Sequence, residues 1–149
     1  MSEASQFSET LKHYEIVSRH IVMERHLNAH GNLFGGVVLA WLDEAAALYV
    51  MELAGYSNFV TISMDDVIFR SPGHRGDVLV IYCRTQKIGR SSITVQAQAW
   101  VHEPQSLDKH MIIECSLTFV CLKDGKPFPY FVSDEYLSWC HNKADRLPD

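Results

Sequence analysis

Residues 26–50 read "HLNAHGNLFGGVVLAWLDEAAALYV". A polar, glycine-bearing loop gives way to a nearly continuous apolar run that extends to Ala54. Asp43 and Glu44 stand in the middle of that run. The length and absence of proline predict one helix over Gly35–Ala54, about 30 Å long at 1.5 Å per residue, with Gly55 as its stop. An apolar helix that holds carboxylates raises the question of what the carboxylates are for.

Outward from this helix, the periodicity changes from helical to two. Tyr14–Val22 is predicted as a first strand and Phe59–Arg70 as the strand after the helix. Val78–Ile88, Ile93–Val101 and His110–Leu122 follow, separated by the turns "SPGHRGD", "GRSS" and "HEPQSLDK". Ile93, Val95, Ala97, Ala99 and Val101 fall on one face. Met111, Ile113, Cys115, Leu117, Phe119 and Cys121 do the same in the last strand. The order β-α-β-β-β-β with short turns implies an antiparallel sheet. Its apolar face is best covered by the one long helix, which makes an α+β domain. Residues 1–13 read as a leader and 14–130 as a single domain. Residues 131–149 read as an extension with a short helix opened by Ser133.

The chain has 149 residues, 47% of them hydrophobic, and a net charge of −5. This suits one ordinary globular domain and gives no cation surplus for nucleic acid. The N-terminus lacks the basic start and apolar run of a signal peptide. Asp43, Glu44 and Glu52 make the helix costly in lipid, so no membrane span is expected. Cys83, Cys115, Cys121 and Cys140 form no C-x-x-C pair and are expected to be free thiols in a cytoplasmic protein. No nucleophile elbow, P-loop, dinucleotide fingerprint or H-E-x-x-H motif is present, and His26 and His30 in a loop make no metal site. No metal or cofactor is expected.

Around Asp43, the positions three and four residues away are Leu39, Ala40, Ala46 and Ala47. Small neighbours leave room beside the carboxylate, whereas Trp41 and Leu48 crowd Glu44. An acid on a helix usually just reaches solvent, but a helix apolar nearly all round is normally buried. Gly35 and Gly36 open the helix, where N–H groups lack partners and carry the positive end of the dipole. That arrangement binds an anion or a developing oxyanion, though Gly-Gly is equally a tight entry turn. A carboxylate with a helix N-terminus suits water activation or direct attack on an activated acyl group.

Asn28, Gly31, Phe34, Gly35 and Gly36, followed by Trp41, Asp43, Glu44, Ala45 and Ala46, resemble the motif of the hotdog-fold acyl-CoA thioesterases, in the YciA-like branch. Thr61 to Asp77, with Pro72, Gly76 and Asp77 in its turn, looks like the family's next strand and turn. "IGRSS" and "DGKPFP" follow in the family's order, so the likeness spans residues 14–130. It implies a sheet wrapped around the helix and a dimer with active sites at the subunit interface, often a trimer of dimers or a tetramer. It also implies hydrolysis of acyl-CoA to free acid and coenzyme A. In that reading Asp43 is general base or nucleophile. Asn28 of the facing subunit holds water or acyl group, and the Gly36 N–H, beside Gly35, polarises the carbonyl. Gly89, Arg90, Ser91 and Ser92 lie along the coenzyme A, with Arg70 and Arg75 as further phosphate contacts. Two positions depart from the family: His26 stands where an acid is common, and Ile68 where a polar residue is. The alternatives are a non-catalytic acyl-CoA-binding module and a hydroxyacyl-thioester dehydratase built on His30 and Glu44.

Overall fold

The structure is a computed structural model and describes residues 13–130. The predicted leader, apart from its last residue, and the predicted C-terminal extension with its helix at Ser133 lie outside the described residues. The elements are β1 (Glu15–Ile21), a single 3-10 turn (Glu24–His26), α1 (Gly35–Ala54), β2 (Phe59–Phe69), β3 (Val78–Ile88), β4 (Ser92–His102), β5 (Lys109–Lys123) and β6 (Lys126–Pro127). The helix has the predicted bounds. Gly55 ends it in the left-handed region at φ 64°, with its N–H on the Met51 carbonyl.

The sheet is antiparallel in the order β1-β3-β4-β5-β2, with β6 beside β5. Strands β3, β4 and β5 form a meander. The strand that follows the helix does not pair with its successor: β2 crosses to the far edge, next to β5. The core lies between the sheet and the helix. Ile93, Val95, Ala97, Ala99 and Val101 of β4 are fully buried in one cluster with Leu42, Ala45, Ala46 and Val50 of α1. Alanines on both elements let the helix approach the central strand closely.

Two sequence expectations are corrected. Met111 does not share the core face of β5. Ala99 pairs with Ile113 and Trp100 with Met111, so Ile112 is an extra residue, a β-bulge. The bulge turns Ile112 into the core and puts Met111 on the opposite face, against Val80, Tyr82 and Trp100. The helix is also not buried all round. Gly36, Ala40, Glu44, Leu48 and Glu52 recur every four residues as one exposed stripe, and Leu48 is 51% exposed. Glu44 and Glu52 are therefore solvent-facing acids, whereas Asp43 sits one residue aside, facing β2.

Edge strand β2 is unusual for its apolar exposure. Val60, Ile62, Val67, Ile68 and Phe69 are all exposed, Ile62 to 59%. Ile62 is itself a bulged residue, since Thr61 pairs with Phe119 and Ser63 with Thr118. A free edge with this much apolar surface is a template for another chain.

Candidate active site

Asp43 is held across the gap between helix and sheet. The Thr61 hydroxyl on β2 donates to its Oδ1 at 2.7 Å. The carboxylate is half-buried, and Cys115 on β5 feels it. Burial, helped by the charges of Asp43 and Glu114, pushes the Cys115 thiol up to about 12. Asp43 thus faces a neutral thiol and a hydroxyl rather than a cation.

The helix start lies two turns away. Phe34 precedes it in extended conformation and supplies no side-chain cap, and no acid stands in the first turn. The first ring-closing bonds run from Val37 and Val38 to the Phe34 carbonyl, which leaves the Gly35 and Gly36 N–H groups to spare. Gly36 precedes Asp43 by seven residues, on the same side of the helix and about 10 Å along it. A Cβ on Gly35 would meet the Phe69 ring at 3.1 Å, and one on Gly36 the Phe34 ring at 3.0 Å. Glycine leaves both amides open to a ligand oxygen.

Asn28 is fixed by its own loop. Its Oδ1 accepts the N–H groups of His30 at 2.9 Å and Asn32 at 3.1 Å, and its backbone N–H donates to the Asn32 carbonyl. Because Oδ1 is occupied, Nδ2 is the atom it can offer to a ligand. Asn28 and Gly35 line one cavity of about 360 Å³, with Leu33, Val38 and Ile112 as its apolar wall and Arg70 at its rim. Asp43 does not line it. One chain therefore joins Asn28 to the helix start and joins Asp43 to Thr61, but does not join the two groups.

Of the predicted coenzyme A contacts, Gly89, Arg90, Ser91 and Ser92 form the β3–β4 turn. The Gly89 N–H donates to the Ser92 carbonyl at 2.8 Å, and the Ser91 carbonyl accepts the Cys121 N–H. Cys121 pairs with Phe59, so this turn lies at the start of β2, by the C-terminal end of α1. A Cβ on Gly89 would fall 2.5 Å from Ser92 Oγ, so a larger residue there would make the Ser92 hydroxyl turn away. Arg70 and Arg75 lie at the other end and both have acid partners: Arg70 with Glu114 at 2.6 Å and Arg75 with Glu24 at 3.2 Å. Arg90 is exposed and has no acid partner among the described residues. Thr61, which the sequence marks only as part of a strand, becomes a site residue through its bond to Asp43. His30 and Glu44 make no hydrogen bond or ion pair with each other. Among the described residues no group of three His, Cys, Asp or Glu side chains converges as metal ligands would, and no helix is long and apolar enough to cross a membrane.

The sequence pattern of the thioesterase superfamily matches residues 30–107. The acyl-CoA thioester hydrolase YciA of Salmonella typhimurium is 31% identical over 119 residues, which is 77% of this chain and 89% of that protein. A hexameric thioesterase of Yersinia pestis superposes with a TM-score of 0.74 at 33% identity, over 79% of this chain and 96% of that one. The Staphylococcus aureus acyl-CoA hydrolase, solved with butyryl coenzyme A and coenzyme A, superposes with a TM-score of 0.71 at 31% identity, over 87% and 80%. This chain belongs to the thioesterase superfamily and has its hotdog fold.

Proposed function

We propose that the protein is an acyl-CoA hydrolase that uses water to cleave an acyl-CoA thioester into a free carboxylic acid and coenzyme A. The observation that carries the reading is Asp43, a mid-helix carboxylate held by Thr61 at one end of β2, with the uncapped Gly35–Gly36 amides beside Phe69 at its other end. Water attacks the thioester carbonyl and gives its proton to Asp43. The developing oxyanion sits on the Gly36 N–H, at the positive end of the helix that the second subunit brings to Asp43. Collapse of that intermediate expels the coenzyme A thiolate, which takes up a proton. The same carboxylate could attack the carbonyl itself to form an anhydride, and oxygen-18 from water found in Asp43 would mark that route. No metal or other cofactor enters this scheme.

The working unit is a dimer. Asn28 and Asp43 belong to different halves of the monomer, and the exposed apolar edge of β2 lies between them. A two-fold axis near the middle of β2 pairs two such edges antiparallel. The Thr61–Asp43 end of one subunit then lies against the Phe69–Gly35 end of the other, and Asn28 of the partner subunit comes toward Asp43. The Yersinia pestis relative is a hexamer, and three dimers of this kind are the assembly proposed here. Gly89, Arg90, Ser91 and Ser92 run along the coenzyme A moiety, with Arg90, which has no acid partner among the described residues, as the phosphate contact. Arg70 and Arg75, already neutralised by acids, make weaker ones. A cytoplasmic setting completes the proposal, since the unpaired, buried Cys83, Cys115 and Cys121 suit a reducing compartment.

The test is free-thiol release from a panel of acyl-CoA esters, short, long and aryl, by wild type and Asp43→Ala side by side. Turnover by wild type alone supports the reading. Tight binding of the esters without turnover by wild type would replace it with a binding module.

A further inference from the structure

We propose that His26 is a positioning residue for both halves of the Asn28 side of the site, and that it holds them only while its imidazole is neutral. The proposal rests on the hydrolase reading above.

His26 closes the 3-10 turn that leads into the Asn28 loop. Its Nδ1 accepts the Met23 N–H at 2.9 Å, which requires a lone pair on Nδ1 and therefore the proton on Nε2. Its backbone carbonyl accepts the Phe34 N–H at 2.8 Å. That bond ties the first residue of the loop to the last one before Gly35. Inside it, Leu27 bridges Leu33 and the Asn28 N–H reaches the Asn32 carbonyl. Moving His26 therefore moves Asn28 and the helix start together.

The ring is also anchored to the helix that carries Asp43. It stands edge-on to Trp41, 4.9 Å between centroids at 80°. The His20 ring stacks on the same indole at 4.4 Å and 11°. Trp41 is two residues from Asp43.

Protonation puts a hydrogen on Nδ1, so two donors face each other where Met23 and His26 now bond. His20 faces the ring from β1, with Glu44 of α1 acting on His20, while Glu24, paired with Arg75, and Arg25 lie on its own turn. Among the described residues the His20 ring hydrogen-bonds Ser18 and does not hold the loop.

Two measurements test this. The first is a nitrogen-15 NMR pH titration of the wild type that reads the His26 ring, the Met23, His30 and Asn32 amides and the Asn28 side-chain amide. All of them should move with one midpoint. Loop amides that stay still while the His26 ring titrates would overturn the proposal, whatever the protein hydrolyses. The second is the pH profile of kcat and KM for wild type, His26→Asn and His26→Leu. Asn keeps an acceptor near the Nδ1 position that does not titrate. His26→Leu should lose at least about tenfold in kcat with a smaller change in KM. His26→Asn should restore kcat to within about threefold of wild type and move the acid limb to lower pH. A folded His26→Leu enzyme at wild-type kcat, or an Asn variant as slow as Leu, would overturn the proposal. If wild type hydrolyses no ester, the hydrolase reading falls, and the NMR titration alone decides the role of His26.

Discussion

The Thr61 hydroxyl on edge strand β2 donates to Asp43 on the central helix at 2.7 Å. This bond connects the carboxylate proposed as base or nucleophile to the strand on which a second subunit would dock. Both its partners are therefore sensitive to that contact. Asp43→Ala should lower kcat by about a thousandfold or more, since it removes the only proposed base or nucleophile. Thr61→Val keeps the shape and removes the donor. The loosened carboxylate should cost about tenfold in kcat with little change in KM. A Thr61→Val enzyme at full kcat would remove Thr61 from the site. Single-turnover hydrolysis in oxygen-18 water then tests the covalent route: label recovered in Asp43 means an acyl-aspartyl anhydride that water opened at the aspartyl carbon.

The oxyanion role proposed for the helix start can be tested by a clean substitution. Gly36 is the second residue of α1, where proline is tolerated because its N–H has no intrahelical partner. Gly36→Pro deletes the donor and should leave the far-UV circular dichroism unchanged while kcat falls by about 100- to 1000-fold. Gly36→Ala keeps the donor. Its Cβ meets only the Phe34 ring, at 3.0 Å, and that ring is half exposed and free to swing. Most of the activity should survive. Equal losses in the two variants would mean that space, not the N–H, is what Gly36 provides.

The sequence made the elements legible more fully than their arrangement. The helix bounds could be read because both ends carry local signals, Gly35–Gly36 and the left-handed Gly55. The alternation in β4 could be read because nothing interrupts it. Met111 could not, because one inserted residue reverses the faces on one side of it relative to the other, and a bulge at Ile112 leaves no mark on composition. Strand order is equally hidden. Periodicity says which face a residue occupies but not which strand lies beside it, so the pairing of β2 with β5 had no local signal. The site follows the same division. Asp43, Asn28 and Gly36 stand out by residue type and context. Thr61 gains its role only from where β2 lies, and Arg70 loses its free charge only because Glu114 is its neighbour across that pairing.

Stability should fall on the alkaline side. Burial pushes the thiol of Cys115 and the phenols of Tyr14 and Tyr130 each up to about 12, from ordinary values of 9.0 and 10.0. It raises Cys83 as well. A raised folded-state value means that the unfolded chain loses its proton first. The contribution is whole below about pH 9 and is lost as pH climbs from there toward 12. Urea midpoints should be flat between pH 7 and 8.5 and drop progressively above pH 9. In a Cys140→Ser background, a thiol reagent at pH 8 should label none of the three buried cysteines in native protein and all three in denaturant. Rapid native labelling would contradict their burial.

The proposed division of the site between two subunits makes the strongest prediction, because it concerns inactive proteins becoming active. Asp43→Ala and Asn28→Ala should each be inactive or nearly so. If Asp43 of one chain works with Asn28 of its partner, a mixed dimer of the two variants has one site with both defects and one site with neither. Random reassortment gives half mixed dimers, so the co-folded mixture should recover about a quarter of wild-type activity. If both residues serve the same subunit's site, every site in every dimer is defective and the mixture stays as inactive as its parents. The docking edge supplies the matching control. Ile62→Lys places a charge on the most exposed apolar residue of β2. It should yield monomers by light scattering that keep the Asp43–Thr61 bond yet hydrolyse nothing, and that do not complement either variant. Active monomers would show that one chain carries a complete site and would end the two-subunit reading.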